Sequence, residues 1–136
     1  MASDEKYDLY ARYQAKRHHD GEPDTRSAFE EFLYTSPVDT LEFTYRDPDN
    51  RLLAVGICDL CHTSLSSVYF YFDPEDSERS LGTYGALHEI EFAAKMEIAH
   101  YYLGYWVQAC RKMSYKADFR PCEILHPDGD WRALKD

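Results

Sequence analysis

A mixed β-sheet flanked by helices, an α+β domain, is what this sequence predicts, and three observations carry it. Two stretches of helix formers come first, one ended by glycine and proline and the other by Ser36-Pro37. Three strand-like stretches then follow with only short turns between them, which makes them antiparallel neighbours. A long helical stretch separates the third strand from a fourth, and a right-handed strand–helix–strand crossover sets that fourth strand parallel to a neighbour.

Tyr7 to His19 is rich in helix formers, with Leu9, Tyr13 and Lys16 at i, i+4 and i+7 and Tyr10 beside them. Asp20-Gly21-Glu22-Pro23 ends that helix. Asp24-Thr25 caps a second one, whose apolar stripe is Phe29, Phe32 and Leu33. Val38 to Tyr45 alternates as a strand, and Arg46-Asp-Pro-Asp-Asn50 is a turn. Leu52 to Ile57 is an apolar second strand, and Asp59 to Ser64 turns the chain again. Leu65 to Phe72 is the third strand, with Tyr69 and Tyr71 on one face and Val68, Phe70 and Phe72 on the other. Asp73-Pro74-Glu75-Asp76 breaks the sheet. Ser77 to Met96 is helical, its buried face formed by Leu87, Ile90 and Ala94 with Ala86 and Ala93 close by. Tyr101 to Trp106 is an aromatic strand broken by Gly104, and the cationic, aromatic run Arg111-Lys-Met-Ser-Tyr-Lys116 follows in a last helical segment. Residues 126–136 read as a polar tail, loosely held apart from Trp131. This order resembles the acyltransferase fold of the GCN5-related N-acetyltransferases. The resemblance implies that the strands Leu65–Phe72 and Tyr101–Trp106 splay apart and that the acyl donor lies in the gap.

At 136 residues the chain is expected to form one domain, with a core that needs no staples. No run approaches the roughly 20 apolar residues of a membrane span. The start, Met1-Ala-Ser-Asp-Glu-Lys6, has no apolar signal core, so a cytoplasmic location is expected. The net charge of −10 argues against broad nucleic-acid binding but leaves room for a small cationic patch that grips one end of a nucleic acid. Cys58-Asp-Leu-Cys61 has the spacing of a zinc or redox site. The other cysteines, Cys110 and Cys122, do not repeat that spacing, so four reduced thiols and no metal are expected.

Four blocks, in order and at matching spacing from about Tyr7 to Leu125, resemble the C-terminal domain of the arginyl-tRNA–protein transferases and their bacterial relatives, the aspartate/glutamate leucyltransferases. They are Leu9-Tyr-Ala-Arg-Tyr-Gln14, Phe32-Leu-Tyr-Thr-Ser-Pro-Val38, Tyr71-Phe-Asp-Pro74 with Arg79-Ser-Leu-Gly-Thr-Tyr84, and Tyr102-Leu-Gly-Tyr-Trp106 with Cys110 to Lys116 and Phe119-Arg-Pro121. The resemblance implies an arginine- or leucine-class aminoacyltransferase. Aminoacyl-tRNA is its donor, proteins with an N-terminal Asp or Glu are its acceptors, and it needs no other cofactor. Members of the family carry an N-terminal domain with its own cysteine motif, and none of the four cysteines here sits where that motif would be. An excised domain and a free-standing version with another acceptor both fit. His88-Glu89 departs from the apolar or amide residues expected there.

The chemistry needs positioning, a proton acceptor and stabilisation of a tetrahedral oxyanion. Arg79 and the Gly82 amides are expected to hold the phosphates or terminal adenosine of tRNA, at a strand-to-helix turn where anions bind. The competing reading is a plain helix cap by Ser77 or Ser80. The acetyl-CoA users have a small last residue in this turn, where this chain has Tyr84. Arg111, Lys112, Tyr115 and Lys116 are expected to meet acceptor-stem phosphates or the acceptor's acidic side chain; the alternative is a solvated face. Tyr69, Tyr71 and Tyr105 are read as cleft residues that donate to the oxyanion, against simple core. Asp73 is read as the carboxylate that steers the amine, against a turn former. Arg12, Tyr13 and Gln14 are read as the acceptor side. His18-His19-Asp20 reads as surface, with metal or base as the alternative. Two rival functions share this frame: an acetyl-CoA-dependent acetyltransferase and a non-catalytic binder of acidic N-termini.

Overall fold

Strand β2 (Leu52–Leu60) has its first seven residues buried, as a strand must when both of its faces are covered. In the computed structural model, which describes residues 1–17, 22, 24–106 and 108–134, it lies in a four-stranded sheet ordered β1-β2-β3-β4. Strands β1 (Asp39–Arg46) and β3 (Ser64–Phe72) flank it antiparallel. Strand β4 (His100–Tyr102) runs parallel to β3, with Leu65 opposite Tyr101. The crossover expectation therefore holds.

Helices α1 (Asp4–Arg17) and α2 (Arg26–Tyr34) cover one face. Leu9, Tyr10, Tyr13, Phe29 and Leu33 pack there on Leu52, Val55, Ile57 and Tyr71. Thr25 caps α2 as expected, its side chain accepting from the Ala28 amide at 3.1 Å. Helix α3 (Leu81–Lys95) covers the other face, where Cys58, Leu65 and Ala93 form the core with Phe43, Phe92 and Tyr101 around them. Alternation along β2 sends Ile57 to one layer and Cys58 to the other. Opposite Ile57 and Cys58 the register slips, so that Val68 of β3 is an extra residue and is exposed.

Three expectations change. Helix α3 buries Leu81, Gly85, Ala86, Glu89 and Ala93, while Leu87 and Ala94 are exposed and Ile90 is half-buried. The helix approaches the sheet through its small residues, because the Phe70 ring fills the space over Gly85. Ahead of it, Ser77–Arg79 is a 3-10 turn and Ser80 is left-handed at φ +49°, so the helix starts later than its pattern suggests. The fourth strand ends at Tyr102 rather than Trp106. Gly104 takes φ +94°, a glycine conformation that breaks an extended run, and Tyr105 is 88% exposed.

The chain from Leu103 onward forms a second compact unit. It holds a single turn of helix, α4 (Arg111–Ser114), a 3-10 turn (Tyr115–Asp118), and a hairpin of β5 (Glu123–Leu125) and β6 (Trp131–Ala133). The segment read as a loosely held tail thus closes a hairpin, with Gly129 at φ +91° in its turn and the His126 amide donating to the Asp130 carbonyl at 2.9 Å. No helix among the described residues is long and apolar enough to cross a membrane.

Candidate functional site

The end of β3 carries the densest ionic arrangement of the first unit. Asp73 is 1% exposed, and its amide donates to the Leu53 carbonyl at 2.8 Å, which fixes its backbone to β2. Its carboxylate accepts from Arg12 Nη1 at 3.2 Å, from Arg51 Nη1 at 3.1 Å and from the Glu75 amide at 3.0 Å. Arg51 also meets Asp76 at 3.8 Å and Asp47 at 3.3 Å, and Arg79 Nε lies 3.4 Å from Asp76. Three arginines from α1, the β1–β2 turn and the turn before α3 are thus threaded on carboxylates in one row. Each guanidinium is about half exposed, at 51%, 55% and 52%, whereas the Asp73 side chain is 2% exposed. Arg51 commits all three of its nitrogens to Asp47, Asp73 and Asp76, whereas Arg12 and Arg79 each meet one carboxylate and stay half exposed, as planar forks that suit carboxylates or phosphates do.

Just past Arg79 the first turn of α3 is open. Ser80 makes no side-chain cap, no acidic residue lies in that turn, and apart from its chain neighbours and the helix's own backbone no described atom stands within 4 Å of where a Gly82 side chain would begin. Serine capping by Ser80 is therefore not what holds this turn. Its amides face outward with the positive end of the helix dipole.

The remaining residues read from the sequence fall in different places. Tyr13 is buried against Tyr69 and Phe72, with the Arg17 guanidinium 5.2 Å from its ring centre. Tyr69 is half-buried, and burial pushes its phenol up to about 12. Tyr71 is fully buried and its hydroxyl lies 3.0 Å from that of Tyr34, which corrects its reading as a cleft donor: its neighbours Tyr10 and Phe29 close over it. Gln14 is also drawn inward. Its amide donates to the Tyr10 hydroxyl at 2.8 Å and to Asp24 at 3.3 Å, and its carbonyl accepts from the Asp24 amide at 3.4 Å. Those bonds tie α1 to the start of α2, so Gln14→Ala is expected to cost about 1 kcal/mol of stability, read as a lower urea midpoint.

In the second unit, Lys116 Nζ donates to the Tyr105 carbonyl at 3.0 Å, and Trp106 Nε1 to the Ser114 carbonyl at 3.3 Å. Burial pulls the Lys116 ammonium below its usual range. Tyr105 stands on the loop, not on a strand, because Gly104 has turned the chain. Tyr115 is 38% exposed on the 3-10 turn. Arg111 and Lys112 lie on α4, and their side chains are outside the described residues, as are His18, His19 and Asp20. Cys58 is buried on β2, where burial pushes its thiol up, while Cys61 is exposed in the next turn. Among the described residues no three His, Cys, Asp or Glu side chains are grouped to hold a metal.

Sequence reasoning missed Arg51 and Asp76. Both sit in polar turns, where charge is the ordinary solvated case; Asp76 shares the turn of Asp73, its amide donating to the Asp73 carbonyl at 3.1 Å, while Arg51 reaches Asp73 only through the pairing of β2 with β3.

Residues 5–126 match the family model described as arginine-tRNA-protein transferase, C terminus. An aspartate/glutamate leucyltransferase of Acinetobacter baumannii is 45% identical, over 98% of this chain and 49% of its own length. One from Hahella chejuensis is 40% identical over 91% and 53%, and one from Marinobacter nauticus 42% over 97% and 56%. The chain spans about half the length of the curated relatives it matches. In fold it is similar to the ribosomal-protein-S18-alanine N-acetyltransferase of Escherichia coli, with a TM-score of 0.66 at 16% identity over 95% of this chain and 81% of that one. The PaiA N-acetyltransferase of Thermoplasma acidophilum gives 0.55 at 13%, over 96% and 91%.

Proposed function

The chain belongs to the arginine-tRNA-protein transferase C-terminal family, and from that premise we propose that it carries out aminoacyl transfer, moving leucine from its tRNA to the α-amine of a protein that begins with Asp or Glu, in the cytoplasm. One observation carries the reading: the row Arg12, Arg51 and Arg79, held on buried Asp73 and on Asp76. Arg12 receives the acceptor's acidic side chain, and Arg51, held on Asp47, Asp73 and Asp76, fixes Asp73 behind it. Arg79 and the open amides of α3 receive phosphate of the donor.

The reaction is aminolysis of an ester, so no covalent enzyme intermediate is required. The acceptor amine, with an ordinary pKa near 8, is partly neutral at cytoplasmic pH. It attacks the ester carbonyl, the oxyanion forms and collapses with cleavage of the ester C–O bond, and the proton that the amine gives up ends on the departing tRNA 3′ hydroxyl. Tyr69, half-buried on the face of β3 that buries Tyr71, is the donor we assign to the oxyanion in place of Tyr71. Asp73, its oxygens taken by two arginines, positions Arg12 and does not itself take a proton from the amine. Tyr105, expected as an oxyanion donor, stands exposed on a loop and is reassigned to the tRNA, as are Arg111, Lys112, Tyr115 and Lys116, each expected from the sequence to meet either tRNA phosphates or the acceptor's acidic side chain.

The test is a transfer assay with pooled, labelled aminoacyl-tRNAs and peptides beginning Asp, Glu or Ala, read by mass. The expected result is a leucine-sized gain on Asp and Glu peptides only. Arg12→Ala is expected to raise KM for the Asp peptide about tenfold or more, since hydrogen bonds to charged groups contribute about 1.5–3 kcal/mol. No gain with folded protein and charged tRNA overturns the proposal. Acidic-peptide binding indifferent to tRNA would then favour the non-catalytic binder, and a thermal shift with acetyl-CoA the acetyltransferase.

A further inference from the structure

Tyr84 is the residue that breaks the small-residue pattern of the α3 turn, and it is 57% exposed. Its ring lies parallel to that of His88 one helical turn on, 6.4 Å away with 6° between the planes. Two β1 side chains brace the pair. Tyr45 meets Tyr84 edge-on at 5.8 Å, and its hydroxyl lies 3.0 Å from His88 Nδ1, while Phe43 meets His88 edge-on at 5.7 Å. The rings are thus held from the sheet side. Side chains on a helix lean toward its N-terminus, so the Tyr84 ring lies over the first turn, whose amides are uncapped and where Gly82 leaves the backbone open.

A braced, flat, exposed ring beside outward amides matches the chemistry of a nucleotide: a base to stack on and a phosphate to hold. A peptide has no need of such a platform, and an isolated exposed tyrosine would have no need of bracing. We propose that Tyr84, oriented by His88 and Tyr45, is the stacking platform for a nucleobase at the single-stranded 3′ end of the donor tRNA; this deepens the transfer reading and rests on it. Base stacking is sequence-tolerant because every base has a π-face, so this contact sets the position of the 3′ end and leaves the choice of amino acid to other groups.

The test is steady-state transfer with varied leucyl-tRNA and saturating Asp peptide, using the full chain and the variants Tyr84→Ala, Tyr84→Leu and Tyr84→Phe. Loss of one stacked base is expected to raise KM for the tRNA about tenfold in the alanine and leucine variants, with kcat within about twofold. Phenylalanine, which keeps the ring, is expected to leave KM within about twofold. Leucine separates flat stacking from apolar contact, and unchanged melting temperatures show that the fold is intact. Wild-type KM in the alanine variant overturns the proposal while leaving the transfer reading in place. So does a leucine variant as good as phenylalanine. If the wild-type chain transfers nothing, a cytidine–cytidine–adenosine trinucleotide is titrated and followed by NMR. Upfield shifts of the His88 and Tyr84 ring protons, absent for the alanine variant's His88, support the platform, and no shift overturns it.

Discussion

Gly85→Ala is expected to destabilise the first unit by about 3 kcal/mol, the upper end of ordinary overpacking penalties. By helix propensity alone alanine should stabilise, since glycine costs a helix interior about 1 kcal/mol relative to it. Packing reverses the sign. A Cβ at Gly85 would stand 2.2 Å from Phe70 Cε2 and 2.5 Å from its Cζ, distances that no real side chain tolerates. Neighbours limit how far the half-buried Phe70 ring can shift: the Tyr45 ring is 5.8 Å and the Phe72 ring 6.3 Å away, and Gly56 is so near that a Cβ there would come within 3.2 Å of Phe70. The helix must therefore lift, and with it the open first turn and the Tyr84 platform. Urea denaturation of Gly85→Ala, Phe70→Leu and the double variant closes the argument. The double variant is expected to be more stable than the sum of the two single losses by about 1–2 kcal/mol, because the smaller residue makes room for the methyl. Strict additivity would show that the contact with Phe70 is not what excludes a side chain at Gly85.

What the sequence made legible follows from the range of the forces involved. Element type and order came from local periodicity, and the parallel fourth strand from chain chirality, neither of which needs distant contacts. The blocks around Arg12, Asp73 and Arg79 marked three residues that the fold does bring to one row. The buried face of α3 was misread because large apolar side chains were taken as the packing stripe, whereas Gly85 and Ala86 face the sheet and Leu87 faces solvent. Tyr71 looked like a cleft residue because a strand pattern tells which face a side chain is on but not how thickly helices cover it. Arg51 was invisible because its partner, Asp73, lies 22 positions away and meets it only through sheet register. Local signals fix elements; the ionic row is a tertiary property.

Glu89 is where charge and core conflict most directly, and it yields a pH-dependent result. The residue is 1% exposed on the sheet-facing side of α3. Its Oε1 accepts from the Tyr101 hydroxyl at 2.6 Å, but its Oε2 is buried with no hydrogen-bond partner and lies 2.5 Å from where a Gly56 side chain would begin. The groups around it are the Cys58 thiol, the Tyr101 and Tyr45 phenols and His88, with no lysine or arginine among its interactions. Burial raises its carboxyl above the ordinary range, and the Tyr101 hydrogen bond and the nearby Cys58 thiol only partly offset that. A folded-state value above the unfolded one means that the unfolded chain gives up the proton first. The Glu89 contribution is therefore fully present below the ordinary glutamate pKa and is lost as pH rises through the raised one. Glu89→Gln keeps the shape and the acceptor for Tyr101 and cannot ionise. It is expected to match the wild-type stability near pH 4 and to exceed it by about 2 kcal/mol at pH 8, the scale of an unsatisfied buried polar group. Taking the difference between the two proteins removes the groups whose values are lowered in the fold, Glu42, Asp47 and Glu91, which push stability the opposite way with pH and do so equally in both. A difference that stays constant from pH 4 to pH 8 would mean that Glu89 holds the same charge folded and unfolded, and its buried oxygen would then need a partner that the surrounding side chains do not supply.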